Sequence, residues 1–132
     1  MIDGSYAALS ALDAFSKKAA VVSNNIANMN TDGYKKSRAI LKEGQNGGVE
    51  VSIQEIDTPG SPILHEEDSN IQTEEASNVN PAGEAEHNEE TSNVDPAEET
   101  VQLIMAQRGY EANLKSLATQ NEMQEAILDI MG

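Results

Sequence analysis

The sequence predicts a mainly α-helical protein, with long N- and C-terminal helices packed as a coiled coil and a short β hairpin between them. Apolar residues recur with helical spacing near both ends of the 132-residue chain. A short segment of alternating polarity, with a turn signal inside it, lies between the two helical segments. The other central residues are acidic and include few large apolar side chains, which is typical of irregular chain. An acidic, largely irregular connector therefore completes the predicted fold.

The first helix is predicted over about residues 4–29, because two sets of residues recur every seven positions and form one stripe. We call the stripe on each helix that faces the other helix the seam. Its predicted members are Ser5, Leu12, Ala19 and Ile26 in one set and Ala8, Phe15, Val22 and Met29 in the other. The segment "NNIANMNTDGYKK" (24–36) then stops the helix, since asparagine suits helix ends and turns. Gly33 is the residue there that best tolerates a left-handed backbone.

The β hairpin is predicted from two strands, residues 37–42 and 48–56. In the second strand Val49, Val51 and Ile53 alternate with polar residues, the pattern of a half-buried strand. The link between the strands includes Asn46-Gly47, a strong hairpin turn signal. An isolated hairpin is only marginally stable, so we expect this one to lie on a helix or on a neighbouring chain.

The connector, residues 59–94, is strongly acidic. The formal net charge of the chain is −15, and no basic residue lies between Lys42 and Arg108. Such a field repels nucleic acid and anionic lipid, and no apolar stretch is long enough for a membrane span. A repeat links residues 74–85 and 89–100. Only its second copy is suited to start a helix, with Asp95 as N-cap, Pro96 in the first turn, and Glu98 placed to close a capping box.

The second long helix is predicted over about residues 96–131. Its predicted seam contains Leu103, Tyr110, Leu117, Gln124 and Met131 in one set and Gln107, Leu114, Asn121 and Leu128 in the other. Further apolar residues lie outside this seam, so the helix requires more than one neighbour. This layout predicts a subunit that completes its core only in an assembly.

The chain divides into residues 1–36, 37–58, 59–94 and 95–132, and none of these predicts a catalytic, cofactor or metal site. The absence of cysteine excludes disulfides and Cys-ligated zinc. His65 and His87 each precede acidic residues, but their spacing matches no known metal motif. No nucleophile elbow or glycine-rich phosphate loop is present. We therefore predict a protein that is not an enzyme.

Two motifs resemble the signatures of bacterial flagellar rod and hook proteins. Residues 24–35 are similar to the N-terminal signature of that family, which runs N-N-I-A-N-x-N-T-x-G-Y-K. The C-terminal signature is matched by residues 92–95, 98–99 and 106–113. The chain most resembles a short proximal rod protein or a rod-protein paralogue, although the C-terminal motif is equally similar to distal rod and hook proteins.

The resemblance implies a structural subunit of the flagellar basal-body rod, which self-assembles through its terminal helices into the axial tube that transmits torque. The implied partners are other copies, other rod and hook subunits and the flagellar export apparatus. The implied location is the periplasmic part of the basal body, reached without a cleaved signal peptide, and nothing at the N-terminus has the pattern of such a peptide. The alternative is a soluble adaptor or assembly regulator that acts through its acidic connector.

The resemblance also implies that the asparagine-rich turn is a joint whose side-chain amides face adjacent subunits. The expected assembly interface extends from this turn along the seams of both helices. Its members are Leu12, Phe15, Val22, Asn25, Ile26, Asn28, Asn30, Gly33, Tyr34, Arg108, Tyr110, Leu114, Leu117, Asn121 and Leu128.

Overall fold

The computed structural model describes residues 2–45, 47–63 and 89–131, with side chains from residue 4 onward. It confirms a mainly helical chain with two helices and one antiparallel hairpin. Helix α1 ends two residues earlier than predicted, because Asn28 begins the turn. In chain order the elements are α1 (Ile2–Ala27), β1 (Ser37–Glu43), β2 (Val49–Glu55) and α2 (Pro96–Met131).

The two helices pack antiparallel to each other. At one end of the pair, the Ser5 hydroxyl donates to Gln120 Oε1 at 3.0 Å. At the other end, the Asn25 amide donates to the Glu99 carboxylate at 3.0 Å. Midway between them, the Phe15 ring lies against Gly109, where a Cβ atom would come within 2.5 Å of the ring. The helices therefore run side by side from Ser5 to Asn25. A coiled-coil geometry for this pair remains a prediction.

The seam of α1 agrees with the sequence pattern, but the predicted seam of α2 is only partly right. Ala8, Leu12 and Val22 of α1 are buried as expected. On α2, Ala106 is completely buried, and most of the predicted seam is exposed instead, namely Gln107, Tyr110, Leu114, Asn121, Gln124, Leu128 and Met131. The physical reason is the close approach of the two helices. They meet over small side chains, and a row of leucines at this contact would hold the helices apart.

The hairpin is confirmed, with a register from Ser37↔Glu55 to Glu43↔Val49. Its loop closes where the Gly44 N–H donates to the Gly48 carbonyl at 3.1 Å. Gly47 and Gly48 both have positive φ, at 74° and 88°, which glycine adopts without strain.

Helix α1 packs along both strands of the hairpin. Val49 and Val51 are half-buried as expected. The prediction is wrong for Ile53, which is 60% exposed, because the cover provided by α1 does not reach it.

The described ends of the connector contain no helix or strand, but one isolated antiparallel bridge joins Pro62 to Glu90. The Ile63 N–H donates to the Glu89 carbonyl at 2.8 Å, and the Thr91 N–H donates to the Ser61 carbonyl at 2.9 Å. The Gly33 N–H also donates to the Glu90 carbonyl at 2.7 Å. We call residues 33–36, 56–63 and 89–94 together the junction. Backbone pairing orders these segments although their sequences carry no periodicity.

Several predictions about the centre of the connector cannot be compared with the structure. Residues 64–88, with the first copy of the repeat and with His65 and His87, lie outside the described residues.

Helix α2 begins as predicted, with one difference. Asp95 Oδ1 accepts from the Ala97 N–H at 2.9 Å and from the Glu98 N–H at 3.4 Å, as an N-cap should. The Glu98 carboxylate does not close a capping box with Asp95. It instead accepts hydrogen bonds from Lys36 and Arg38, because two cations compete for it more strongly than one backbone N–H.

Gly109 tests the close approach of the helices. We expect Gly109→Ala to destabilise the folded chain by about 1–2 kcal/mol, because its Cβ would overlap the Phe15 ring and overpacking outweighs the gain in helix propensity. Thermal unfolding followed by circular dichroism measures the change.

Gly4→Ala is the matched control, since its Cβ would meet only the end of the flexible Gln120 side chain. We expect this variant to be neutral or slightly stabilising. Equal destabilisation by the two variants would contradict the close approach at Phe15.

Candidate functional site

The asparagine-rich turn is organised around Asn25, which lies on the last turn of α1 and is 0% exposed. Its Nδ2 donates to the Ser37 carbonyl at 2.8 Å and to Glu99 Oε2 at 3.0 Å. Its Oδ1 accepts from the Ser37 N–H at 2.9 Å and from the Tyr34 hydroxyl at 3.2 Å. Two donors and two acceptor positions are the full capacity of an amide, so the side chain is saturated within the chain.

The expectation that Asn25 presents its amide to an adjacent subunit is therefore wrong. The amide is used internally because it satisfies both backbone groups of Ser37, at the first position of β1. It also supplies a hydrogen bond to Glu99, which is only 4% exposed. A buried carboxylate without such a donor is strongly destabilising. Glu99 is further favoured by its place in the first turns of α2, at the positive end of the helix dipole.

The rest of the turn is held by local hydrogen bonds. Asn28 Nδ2 donates to the Asn24 carbonyl at 2.9 Å, and the Thr31 N–H donates to the Asn28 carbonyl at 3.0 Å. Gly33 has φ of 69°, which confirms the left-handed backbone expected there. This conformation aims the Gly33 N–H at the Glu90 carbonyl and so directs the chain into the junction.

A second asparagine, Asn93, organises the junction. Its Nδ2 donates to the carbonyls of Ile56 at 2.7 Å and Thr58 at 2.9 Å. Its Oδ1 accepts from the Lys36 N–H at 2.7 Å, and its own N–H donates to the Tyr34 carbonyl. Sequence reasoning found the motif that contains Asn93 but not this role. The signal was available as an asparagine two residues before a helix cap, a position where a side chain can bind neighbouring backbone.

Two ion-paired carboxylates, one in the junction and one at the start of α2, are bonded to cations of the segment that follows the turn. Lys35 Nζ donates to Glu90 Oε2 at 3.0 Å, while Lys36 and Arg38 contact the two oxygens of Glu98 at 2.7 and 2.6 Å. The hydrogen bond from Lys35, helped by the Gly60 N–H, lowers the pKa of Glu90 below its ordinary value of 4.5. The hydrogen bond and charge of Lys36, with the charge of Arg38, lower the pKa of Glu98 in the same direction.

The residues of the expected assembly interface fall into three groups by exposure. Leu12, Val22 and Asn25 are buried between elements of the chain. The half-buried group contains Phe15, Ile26, Asn28, Tyr34 and Leu117. The exposed group contains Asn30, Gly33, Arg108, Tyr110, Leu114, Asn121 and Leu128. Only the last two groups present surface that another molecule could contact.

Within residues 2–45, 47–63 and 89–131, no cluster of three or more His, Asp or Glu side chains is suited to hold a metal ion. Over the same part of the chain, no helix has both the length and the apolar character needed to span a membrane. The chemistry of the described site consists of hydrogen bonds and ion pairs.

Comparison with protein families decides what this arrangement belongs to. The flagella basal body rod protein family matches residues 6–35, and the family described as flagellar basal body rod FlgEFG protein C-terminal matches residues 85–130. The chain belongs to the flagellar basal-body rod protein family. A search of curated proteins found no match.

The residues of the site lie in both regions that the family models match. Rod proteins of these families are structural rather than catalytic components of the basal body. In this rod-family chain the first matched region contains Asn25 and Tyr34, and the second contains Asn93 and Glu99. The hydrogen bonds of Asn25 and Asn93 therefore join the two family regions to each other and to the hairpin.

The internal role of Asn25 predicts a loss of monomer stability. We expect Asn25→Ala to cost about 3 kcal/mol in the free energy of unfolding, because it leaves Glu99 and the backbone of Ser37 without donors or acceptors. Asn28→Ala is the control and should cost at most about 1 kcal/mol, since Asn28 bonds only within its own turn. Chemical denaturation of dilute monomer distinguishes the two variants, and equal costs would contradict the internal role.

The ion pairs predict a loss of stability in acid. Folding lowers the pKa of Glu90 and Glu98 below 4.5, so their contribution is fully present above that pH and is lost as the pH falls through the lowered values. We expect the double variant Glu90→Gln/Glu98→Gln to melt earlier near neutral pH and to lose less stability on acidification. Melting curves between about pH 3 and 7 test this. Glu122→Gln, at an exposed position of α2, should retain the parental profile.

Proposed function

We propose that this chain is a structural subunit of the flagellar rod that self-assembles through its terminal helices into the axial tube that transmits torque. One observation carries the proposal: the last turns of α2 carry large apolar side chains that no other described part of the chain covers. Every residue from 121 to 131 is exposed, and Leu128 and Ile130 are 69% and 85% exposed. Other exposed apolar residues in this segment are Met123, Ile127 and Met131.

This uncovered surface arises from the lengths of the helices. Helix α1 has 26 residues and α2 has 36, which correspond to about 39 and 54 Å. Because Gly4 and Ser5 lie beside Gln120, α2 continues past the start of the paired region. Large apolar side chains grouped in this way mark interaction surfaces, and burying one contributes about 1.5–3 kcal/mol.

A second apolar surface lies beside the seam. An open groove of about 420 Å³ runs between the helices and is lined by Phe15, Ala19, Leu103, Ala106 and Tyr110, among others. Leu114 of α2 is also exposed. Helices that pack through small residues thus leave their large side chains available to further helices, which supports assembly through both terminal helices.

The proposed partners are other copies of the chain and other rod and hook subunits, with delivery by the flagellar export apparatus. The proposed location is the periplasmic part of the basal body, reached without cleavage of a signal peptide. The proposal also keeps the four-part division of the chain and the assembly role of the exposed and half-buried interface residues. This bonding suits torque transmission, because the hydrogen bonds of Asn25 and Asn93 tie α1, the hairpin, the junction and α2 together.

Substitutions at two leucines of α2 distinguish an effect on assembly from an effect on folding. We expect Leu128→Asp to leave the melting temperature of the monomer nearly unchanged, since the side chain is exposed, and to abolish higher-order assembly and motility. Leu117→Asp, within the paired part of α2, should also destabilise the monomer by several kcal/mol. Circular dichroism, size-exclusion chromatography and electron microscopy at high concentration measure these effects.

Normal assembly of the Leu128→Asp variant would contradict a role for the end of α2. A chain that stays monomeric at every concentration and rescues motility without entering purified basal bodies would instead indicate a soluble adaptor.

A further inference from the structure

The hairpin has two open edges, and its hydrogen-bonding pattern shows which backbone groups face outward. In an antiparallel pair, alternate residues direct their N–H and C=O groups to the partner strand. Both backbone groups of Ser37 bond to Asn25. Lys36, the residue before Ser37, instead accepts from the Ile56 N–H across the hairpin. The odd-numbered residues of both strands therefore direct their backbone groups away from the other strand.

Side chains of α1 occupy only part of these edges. Asn25 binds Ser37 at one end of β1, and Ser10 Oγ accepts from the Val49 N–H at 3.0 Å at the opposite corner, on β2. In the described part of the chain, no hydrogen bond from outside the hairpin reaches the backbone of Ala39, Leu41, Val51 or Ile53. Each edge thus keeps an open stretch, and the edge of β2 has the exposed Ile53 beside it.

We propose that β2 of one subunit pairs with β1 of a second copy, which extends the sheet from subunit to subunit. This rests on the proposed self-assembly and adds a lateral contact to it. The register inside the hairpin can be repeated across the new boundary, since it places Ala39 opposite Ile53 and Leu41 opposite Val51. All four residues have outward backbone groups, so the repeat satisfies the open stretches on both edges.

Charge complementarity favours this pairing over a symmetric one. β1 contains two bases, Arg38 and Lys42, and one acid, Glu43, whereas β2 contains Glu50 and Glu55 and no base. The repeated register places Lys42 of one copy opposite Glu50 of the next. A symmetric pairing of two β2 strands would bring four carboxylates together with no cation, which electrostatics disfavours.

The same register keeps the helices on one side of the extended sheet. Side chains that point to one face in β1 lie opposite side chains of that face in β2, so each α1 packs on the same face. Two strands span about 9.6 Å, close to the 8–10 Å between packed helices. Each copy keeps one free β1 edge and one free β2 edge, so the contact can propagate as a tubular assembly requires.

Single cysteines test the register, because the natural chain has none. Purified Lys42→Cys and Glu50→Cys variants are mixed at high concentration and oxidised. In the proposed register their Cα atoms lie about 4.5 Å apart, within the range of a disulfide, so we expect a mixed disulfide dimer. Each variant alone should give little dimer.

Gln54→Cys is the matched control, since Gln54 is exposed on the same face of β2 but lies about 13 Å further along the strand. Its mixture with Lys42→Cys should give no dimer. A disulfide between Glu50→Cys and Gln54→Cys would reveal symmetric pairing of two β2 strands and overturn the proposal.

Ile53→Pro separates this contact from assembly through the helices. It removes an N–H that the intramolecular ladder does not use, and proline is tolerated on an open strand edge. We expect the Lys42–Glu50 crosslink to be lost in this background while the melting temperature is nearly retained. Assemblies that form normally but never give this crosslink would contradict the strand pairing and leave the proposed function standing. If the Leu128→Asp variant assembles normally and the Lys42–Glu50 crosslink also forms in it, only the proposed role of the helices is contradicted.

Discussion

The buried amide of Asn25 is the interaction on which the arrangement of the other elements depends. It fixes the start of β1 against the end of α1, and it provides a hydrogen bond to a carboxylate buried near the start of α2. Aspartate would lack the two donors, and it would place a second negative charge beside Glu99. Glutamine would carry the amide one methylene further from the same partners. The geometry therefore requires asparagine at this position, for a reason internal to the subunit.

The described chain has opposite chemistry at the two ends of its helix pair. One end is closed by hydrogen bonds and ion pairs among α1, the junction and α2. At the other end, α2 continues alone with exposed Leu, Ile and Met side chains. In such a monomer, hydrogen bonds fix the structure at the first end, whereas apolar side chains lack packing partners at the second. Such asymmetry suits a subunit whose remaining stability comes from its neighbours.

Sequence reasoning succeeded where the physical signal is local. Apolar periodicity located both helices, alternation and a glycine-containing turn located the hairpin, and the Asp95-Pro96 pair located the start of α2. It failed where the outcome depends on distant residues. The seam of α2 is set by how closely α1 can approach Ala106 and Gly109, and no heptad pattern contains that information. The junction forms from segments far apart in sequence, and the role of Asn25 depends on Ser37 and Glu99, so a helix stop was the only local inference.

The hydrogen bond between Ile63 and Glu89 has a consequence for how the chain can change over evolution. The residues between them begin and end at one place, so their number does not set the distance between the helices. For a flexible segment whose two ends are held together, added length costs little entropy, about 0.6 kcal/mol for each doubling. Insertions or deletions at this point can therefore accumulate while the helix pair keeps its alignment. Length variation in this family is expected to concentrate between Ile63 and Glu89, where it leaves the arrangement of the described elements unchanged.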